Sequence, residues 1–257
     1  ANVAIGYQSL TALTTGDNNT AIGHGAADAL VSGLRNIAIG TDSLSASVDG
    51  DENTAIGYGT LAVYEGSDGQ GDNTAVGCLA GQFVSTGQNN TYVGSNSGKG
   101  VTGARLTGND NTAIGYIAGG VLQGAAESNT LIGSYAGEAV TTATYNVVIG
   151  AQAGNDLTTG SQNIAIGYQS LDRATTQATG NVAIGYQAMH GNFTTADVDS
   201  CVAIGKFALS DGTLHANAGG SVGVGYGALQ ALTQGIGNTG IGYNAADQIT
   251  TGDSNTA

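Results

Sequence analysis

Hydrophobic and polar positions follow a fixed five-residue order that returns along the chain. The order is a polar residue, a β-branched residue, a small residue, Ile or Val, and Gly, as in Asn19-Thr20-Ala21-Ile22-Gly23. Fourteen complete copies occur, and successive copies begin 17 to 21 residues apart. We number the motif positions 1 to 5 and predict one short β-strand per copy, because alternate residues of a strand face opposite sides. Representative motif residues at positions 1, 4 and 5 are Asn2, Ile5, Gly6, Asn19, Ile22, Gly23, Asn53, Ile56, Gly57, Asn111, Ile114, Gly115, Asn163, Ile166 and Gly167.

The two faces of the predicted strand differ in side-chain size. Positions 2 and 4 are β-branched in every copy, which predicts a continuous β-branched stripe on one face. Position 3 is usually Ala and position 5 is always Gly, so a second layer of backbone can approach the other face closely. Tyr92 and Leu131 occupy position 3, and we expect them to disturb this approach locally.

A repeat of at least 17 residues that is lengthened only by insertions is typical of a solenoid whose coils stay in register. The insertions, such as residues 68–71, are Gly-rich or polar and precede the next motif, where turns belong. We predict an all-β fold, a single-stranded parallel β-solenoid of about 14 coils of 17–21 residues. It forms one continuous domain over residues 1–257 that is cut within a repeat at both ends. Coils about 4.8 Å apart give a rod roughly 67 Å long.

Two local features leave alternatives open. Asn fills position 1 in 12 of 14 copies, which predicts either a ladder of stacked amides or a residue that tolerates the turn into the strand. After each motif Gly, a segment such as residues 7–10 predicts a second, less regular strand. A short helical turn is the rival, because Leu10 and Leu13 lie three residues apart, although frequent Gly argues against it.

Composition and charge exclude several classes. The chain has 45 Gly but no Pro and no Gly at every third residue, which excludes collagen, and 40% hydrophobic residues with 9% charged residues do not fit a disordered chain. The net charge of −14 and five scattered basic residues make nucleic acid an unsuitable partner. No apolar run reaches the ~18 residues of a membrane span, so we predict no membrane insertion in this segment.

The string Asn111-Thr112-Ala113-Ile114-Gly115-Tyr116, followed two residues later by Ala118, resembles the YadA-like head repeat of trimeric autotransporter adhesins. Similar motifs occur in long fibre proteins of bacteriophages, and the resemblance covers essentially the whole chain. It implies a left-handed parallel β-roll, with three chains side by side in a fibre that binds host surfaces or matrix. The minimum repeat of 17 residues is longer than the usual head repeat, which implies a longer outer segment in each coil.

Composition also favours self-association. A thin roll with few large apolar residues buries little volume in one chain, so sister chains would cover the β-branched stripe. Together with the resemblance, which implies three chains side by side, this predicts a side-by-side homotrimer.

Six of the 19 acidic residues fall within one stretch of turns, and they offer the only candidate metal ligands. Stacked turn carboxylates could hold Ca²⁺, which prefers oxygen ligands. We expect a solvated acidic edge instead, because the nine-residue calcium-binding repeat is absent. These residues are Asp49, Asp51, Glu52, Glu65, Asp68 and Asp72.

Tyr follows the motif Gly in half of the 14 copies. An outward row would stack on sugar rings, whereas an inward row would cap the small-residue layer, which is the role we expect. The row comprises Tyr7, Tyr58, Tyr116, Tyr168, Tyr186, Tyr226 and Tyr243.

Cysteine and histidine give no further site. Cys78 and Cys201 lie seven coils apart, roughly 34 Å in a solenoid, which is too far for a disulfide within the chain. His24, His190 and His215 lie in different coils, so we predict no zinc site and no cofactor, and no catalytic Ser/His/Asp set stands out.

These observations favour a structural fibre or adhesin over an enzyme. Such a segment would be extracellular, on a bacterial cell surface or a phage virion, and would bind a host-surface glycan or protein receptor. One alternative is a tailspike-type enzyme that degrades polysaccharide, which needs several carboxylates in a groove. Another is an ice- or mineral-binding solenoid, which needs a flat array, whereas Thr fills only half of the position 2 sites.

Overall fold

The structure is a computed structural model that describes residues 1–67, 69–174, 178–191, 198–210, 214–215 and 218–257. The chain divides into two compact units, Ala1–Ser128 and Asn129–Ala257. The division falls immediately before Asn129, which is position 1 of a motif copy. Each unit is therefore built from the same repeat.

Each unit contains seven three-residue strands that pair in parallel. Unit 1 has β1 (Val3–Ile5), β2 (Thr20–Ile22), β3 (Ile37–Ile39), β4 (Thr54–Ile56), β5 (Thr74–Val76), β6 (Thr91–Val93) and β7 (Thr112–Ile114). Unit 2 has β8 (Thr130–Ile132), β9 (Val147–Ile149), β10 (Ile164–Ile166), β11 (Val182–Ile184), β12 (Val202–Ile204), β13 (Val222–Val224) and β14 (Thr239–Ile241).

Within each unit, consecutive strands are neighbours and the motif positions lie directly opposite each other, as Thr20 opposes Ile37 and Ala21 opposes Ala38. No α-helix occurs among the described residues. The predicted all-β, parallel β-solenoid is confirmed.

The inner face of each sheet is made of position 3. From the second coil onward this residue is buried, and Ala21, Ala55 and Ala165 are fully inaccessible to solvent. Leu side chains four residues after the motif Gly, such as Leu44, complete the core. The predicted close approach of a second layer to a small-residue face is confirmed.

Glycine at position 5 is required by both conformation and space. The φ of Gly40 is +132°, a region that L-residues rarely adopt. A Cβ atom on Gly40 would lie only 2.6 Å from the carbonyl carbon of Gly57 in the next coil. The coils therefore stack through these glycines.

The segment after the motif Gly is neither a second strand nor a helical turn. It is a run of turns in which residues two and four places after the Gly have positive φ, as in Gln8 (58°) and Leu10 (51°). Left-handed residues at alternate places prevent both an extended strand and a helix. Backbone hydrogen bonds still join these turns between coils, as from the Leu10 N–H to the Ala26 carbonyl. The expectation of a second strand is wrong.

The bulky residues at position 3 do not disturb the packing. Tyr92 and Leu131 are fully buried, and each faces a Gly four residues after its motif Gly. A Cβ atom on Gly98 would overlap the Tyr92 ring, and one on Gly137 would lie 2.8 Å from Leu131 Cδ2. A missing side chain in the turn thus compensates for a larger one in the strand, and the expected disturbance is wrong.

The amide ladder predicted at position 1 is present in both units. Asn36 Nδ2 donates to Asn19 Oδ1 at 3.1 Å, and the same oxygen accepts the Asn36 backbone N–H at 2.9 Å. The residue with positive φ in this turn is Arg35, one place earlier, so tolerance of the turn does not explain the Asn. In unit 2 the ladder is interrupted where Cys201 and Ser221 replace Asn.

Candidate self-association and ligand-binding surfaces

Positions 2 and 4 of the strands point away from the core and form what we call the outer face. In β3, Ile37 is exposed and Ile39 half-buried, while Ala38 between them is 1% exposed. The other strands after β1 repeat this pattern in both units. Every residue in these two columns is Val, Ile or Thr, so the outer face carries no charge.

The outer face of each unit is comparable in area to the largest apolar patch on a typical monomer. Seven coils about 4.8 Å apart span about 34 Å, and two columns that are together about 11 Å wide then give about 370 Å² in each unit. Patches of ~300–600 Å² are the largest on typical monomers and are often functional. A stable interface buries ~800 Å² per partner, so each unit supplies somewhat less than half of that area.

The tyrosines that follow the motif Gly lie beside the outer face and point outward. Tyr58 is 56% exposed and Tyr186 is 44% exposed, and the other members of the row are also exposed. The expectation that these rings cap the small-residue layer is wrong. Successive residues continue to face opposite sides through the motif Gly, so the Tyr points outward like positions 2 and 4.

In unit 2 these rings form a nearly continuous strip over five coils, which we call the aromatic strip. Tyr168 and Tyr186 stack with their centroids 5.4 Å apart, and Tyr226 and Tyr243 stack at 5.1 Å. Phe207 lies between the two pairs and meets Tyr186 and Tyr226 edge-on at 5.6 and 5.9 Å. In unit 1, by contrast, Tyr7 stacks on His24 at 5.4 Å.

Lys206 takes the place of Tyr in the aromatic strip. Its ammonium lies 5.1 Å from the centroid of Tyr186 and 4.8 Å from that of Phe207, within the range of cation–π attraction. Beside the strip, Gln169 Nε2 donates to Gln152 Oε1 at 3.0 Å, and Gln187 Nε2 donates to Gln169 Oε1 at 2.8 Å. The aromatic strip and these hydrogen-bonded glutamines together place rings, amides and one positive charge on one exposed surface.

Comparison with known proteins identifies no family. No protein-family model, curated protein or solved structure matches this chain.

The acidic turns of unit 1 use their carboxylates for hydrogen bonds and ion pairs. Asp51 accepts the Leu34 N–H at 2.6 Å and the Gly69 N–H at 3.0 Å, one with each carboxylate oxygen. Asp49 accepts the Ser32 hydroxyl, Glu52 pairs with Arg35, and Glu65 pairs with Arg105. The Arg35 guanidinium lowers the pKa of Glu52, whereas desolvation and the neighbouring Glu52 raise the pKa of Asp72.

The candidate calcium ligands are not gathered into a metal site. Across the described part of the chain, no three His, Cys, Asp or Glu side chains come together in a group that could hold a metal ion. Asp68 lies outside the described residues.

A half-buried pair in unit 2 was not anticipated from the sequence. His190 Nε2 lies 3.6 Å from Asp172 Oδ2, and both side chains are less than one-fifth exposed. Burial, assisted by the charge of Asp156, raises the pKa of Asp172 to about 6, and Arg173 acts in the opposite direction. Asp172 and His190 each lie five residues after a motif Gly, in successive coils. Aligning the coils by their motif Gly would therefore have placed the two side chains next to each other.

Both cysteines are free, and their environments differ. Cys78 is exposed in the row that contains the tyrosines, and Cys201 is buried in the row of the asparagine ladder. Cys201 Sγ lies 3.3 Å from the Ala218 carbonyl oxygen, and burial raises the pKa of the thiol to about 11.

No helix in the described ranges is long and apolar enough to cross a membrane.

Proposed function

We propose that this chain is a segment of a structural fibre or adhesin that extends from a bacterial cell or a phage virion and mediates attachment. In this proposal three chains with left-handed coils lie side by side, and the segment is extracellular and has no catalytic role. The single observation that supports it most strongly is the uncharged outer face of both units. The resemblance of the repeat to adhesin heads and phage fibres points in the same direction.

The outer face suits association with copies of itself. A closed symmetric assembly requires the same patch on every subunit, and a repeat presents the same columns in coil after coil at one spacing. Copies whose coils are aligned would therefore match β-branched residues against β-branched residues along the whole face. The absence of charge in positions 2 and 4 agrees with the depletion of charged residues in the cores of interfaces.

Many coils on one rod would also favour attachment. A fibre that presents the same surface repeatedly can bind several copies of a host receptor at once, and linked weak contacts raise the total affinity. This gives a repetitive solenoid a use that does not depend on any single strong site.

Electron microscopy of purified protein tests the proposal. Wild-type protein is expected to form thin rods that are three chains wide. A double variant with Ile39→Asp and Ile166→Asp places a carboxylate on the outer face of each unit. Because a buried unpaired charge costs several kcal/mol, we expect this variant to remain as single chains.

Thr86→Asp is the matched control, because Thr86 is exposed in a turn away from the outer face. It should form rods like the wild type. Wild-type protein that never forms multi-chain rods, or rods that persist in the double variant, would contradict the proposal.

A further inference from the structure

We propose that the aromatic strip of unit 2 is a binding site for an acidic glycan. A sugar carboxylate would pair with Lys206, and the sugar rings would pack against Tyr186, Phe207 and their neighbours. This inference deepens the proposed function and rests on it, since it names the chemical class of the receptor.

Lys206 is the feature that points to a negative ligand. It is exposed, and no carboxylate of the described residues lies within ion-pair distance of its Nζ. Arg35 and Arg105, by contrast, are each paired with a glutamate. In a chain of net charge −14, an ammonium held over two rings without a carboxylate partner is available to an anion.

The groups around Lys206 suit a sugar better than a purely apolar partner. A sugar ring offers C–H groups that pack on aromatic rings and hydroxyl groups that need hydrogen-bond partners. Tyr168 and Tyr186 supply rings and phenol groups, and Gln169 and Gln187 supply amides beside them. Tyr168 and Gln169 belong to one coil and Tyr186 and Gln187 to the next, so two neighbouring coils offer the same ring and amide. Lys206 adds one positive charge in the coil that follows, which fits a short glycan that carries an acidic sugar.

The same charge argues against a second copy of the chain as the occupant. Burying Lys206 in an interface between copies would remove an ammonium from water without giving it a carboxylate on the uncharged outer face. The strip therefore belongs at the margin of the self-association face, where a ligand from solvent can reach it.

Isothermal titration calorimetry with defined short ligands tests the site. The probes are a trigalacturonate, a galacto-oligosaccharide that ends in one sialic acid, the same galacto-oligosaccharide without sialic acid and a poly-Glu peptide. We expect at least one of the two acidic glycans to bind, with the neutral sugar and the peptide binding at least about tenfold more weakly.

Variants locate the site, and each has a matched control. Lys206→Gln should weaken binding at least about tenfold, and Tyr186→Leu should weaken it about fivefold. Lys99→Gln removes the same charge from unit 1, and Tyr58→Leu removes an exposed tyrosine there, so both should bind within about twofold of wild type.

The inference would be overturned if neither acidic glycan bound, if poly-Glu bound equally well, or if Lys99→Gln weakened binding as much as Lys206→Gln. Micrographs of the same samples separate this outcome from failure of the fibre proposal. Rods without glycan binding would remove only the glycan site, whereas binding by single chains would remove only the fibre.

Discussion

Replacement of one ladder asparagine tests whether the amide ladder stabilises the solenoid. Asn36 is 1% exposed, and its side chain makes four hydrogen bonds. Its Nδ2 donates to Asn19 Oδ1 at 3.1 Å and to the Gly50 carbonyl at 2.7 Å. Its Oδ1 accepts the backbone N–H of Asn53 at 3.0 Å and the Asn53 Nδ2 at 3.1 Å.

The Asn36→Ala variant loses all four bonds and leaves buried groups of Gly50 and Asn53 without these partners. A net contribution of about 1 kcal/mol per bond gives a loss of about 4 kcal/mol in the free energy of unfolding. Asn36→Ser should cost about 2 kcal/mol, because a hydroxyl can replace two of the bonds. Ser221 already makes such contacts, accepting the Asn238 N–H at 3.3 Å and donating to the Gly235 carbonyl at 3.4 Å.

Native-state hydrogen exchange at the Asn53 amide is the assay, supported by urea denaturation. A loss of about 4 kcal/mol corresponds to roughly a thousandfold faster exchange when exchange requires opening of this region. Thr20→Val, on the outer face, should change the exchange rate little. If Asn36→Ala costs less than about 1 kcal/mol, or no more than Thr20→Val, the ladder does not stabilise the stack.

Three other predictions follow from single contacts. Gly98→Ala should lower the free energy of unfolding, measured by urea denaturation, by about 3 kcal/mol, because the φ of Gly98 is +53° and a methyl group would overlap the Tyr92 ring. In a Tyr92→Ala background the same substitution should lower it by only about 1 kcal/mol. Asp172 has a higher pKa when folded (about 6) than its ordinary value of 3.8, so the free energy of unfolding should fall by about 3 kcal/mol as pH rises through this window. Asp172→Asn should remove that pH dependence and stabilise the protein at pH 7. A maleimide reagent at pH 8 should label the exposed Cys78 in the native protein. It should leave Cys201 unlabelled, because this thiol is buried and has a pKa of about 11. Equal labelling of the two cysteines would contradict the burial of Cys201.

The sequence was sufficient to predict the strands and the ladder because they depend on residues that repeat in every coil. Position 3 is small in most copies, which predicts a closely covered face, and Ala38 at 1% exposure agrees with that prediction. Asn at position 1 left two interpretations, and the structure decides between them because the neighbouring Arg35, with φ of 58°, takes the left-handed conformation.

The features that were missed depend on pairs of residues in space. The Gly98 that makes room for Tyr92 lies six residues later, and only comparison of coil with coil links them. Tyr186 was expected to face inward because its size suggested packing, although its place two residues after the outward Ile184 predicts exposure. The turns after each Gly could not be predicted from polarity, since their left-handed residues include Leu10, which favours helix by propensity.

The mass of the native assembly in solution shows whether the outer face joins three chains. Native mass spectrometry over a dilution series should find a species of three 25.1 kDa chains for the wild type and single chains for the double variant of Ile39 and Ile166. A wild-type protein that remains a single chain at every concentration would show that the outer face does not bind copies of itself, and would contradict the account.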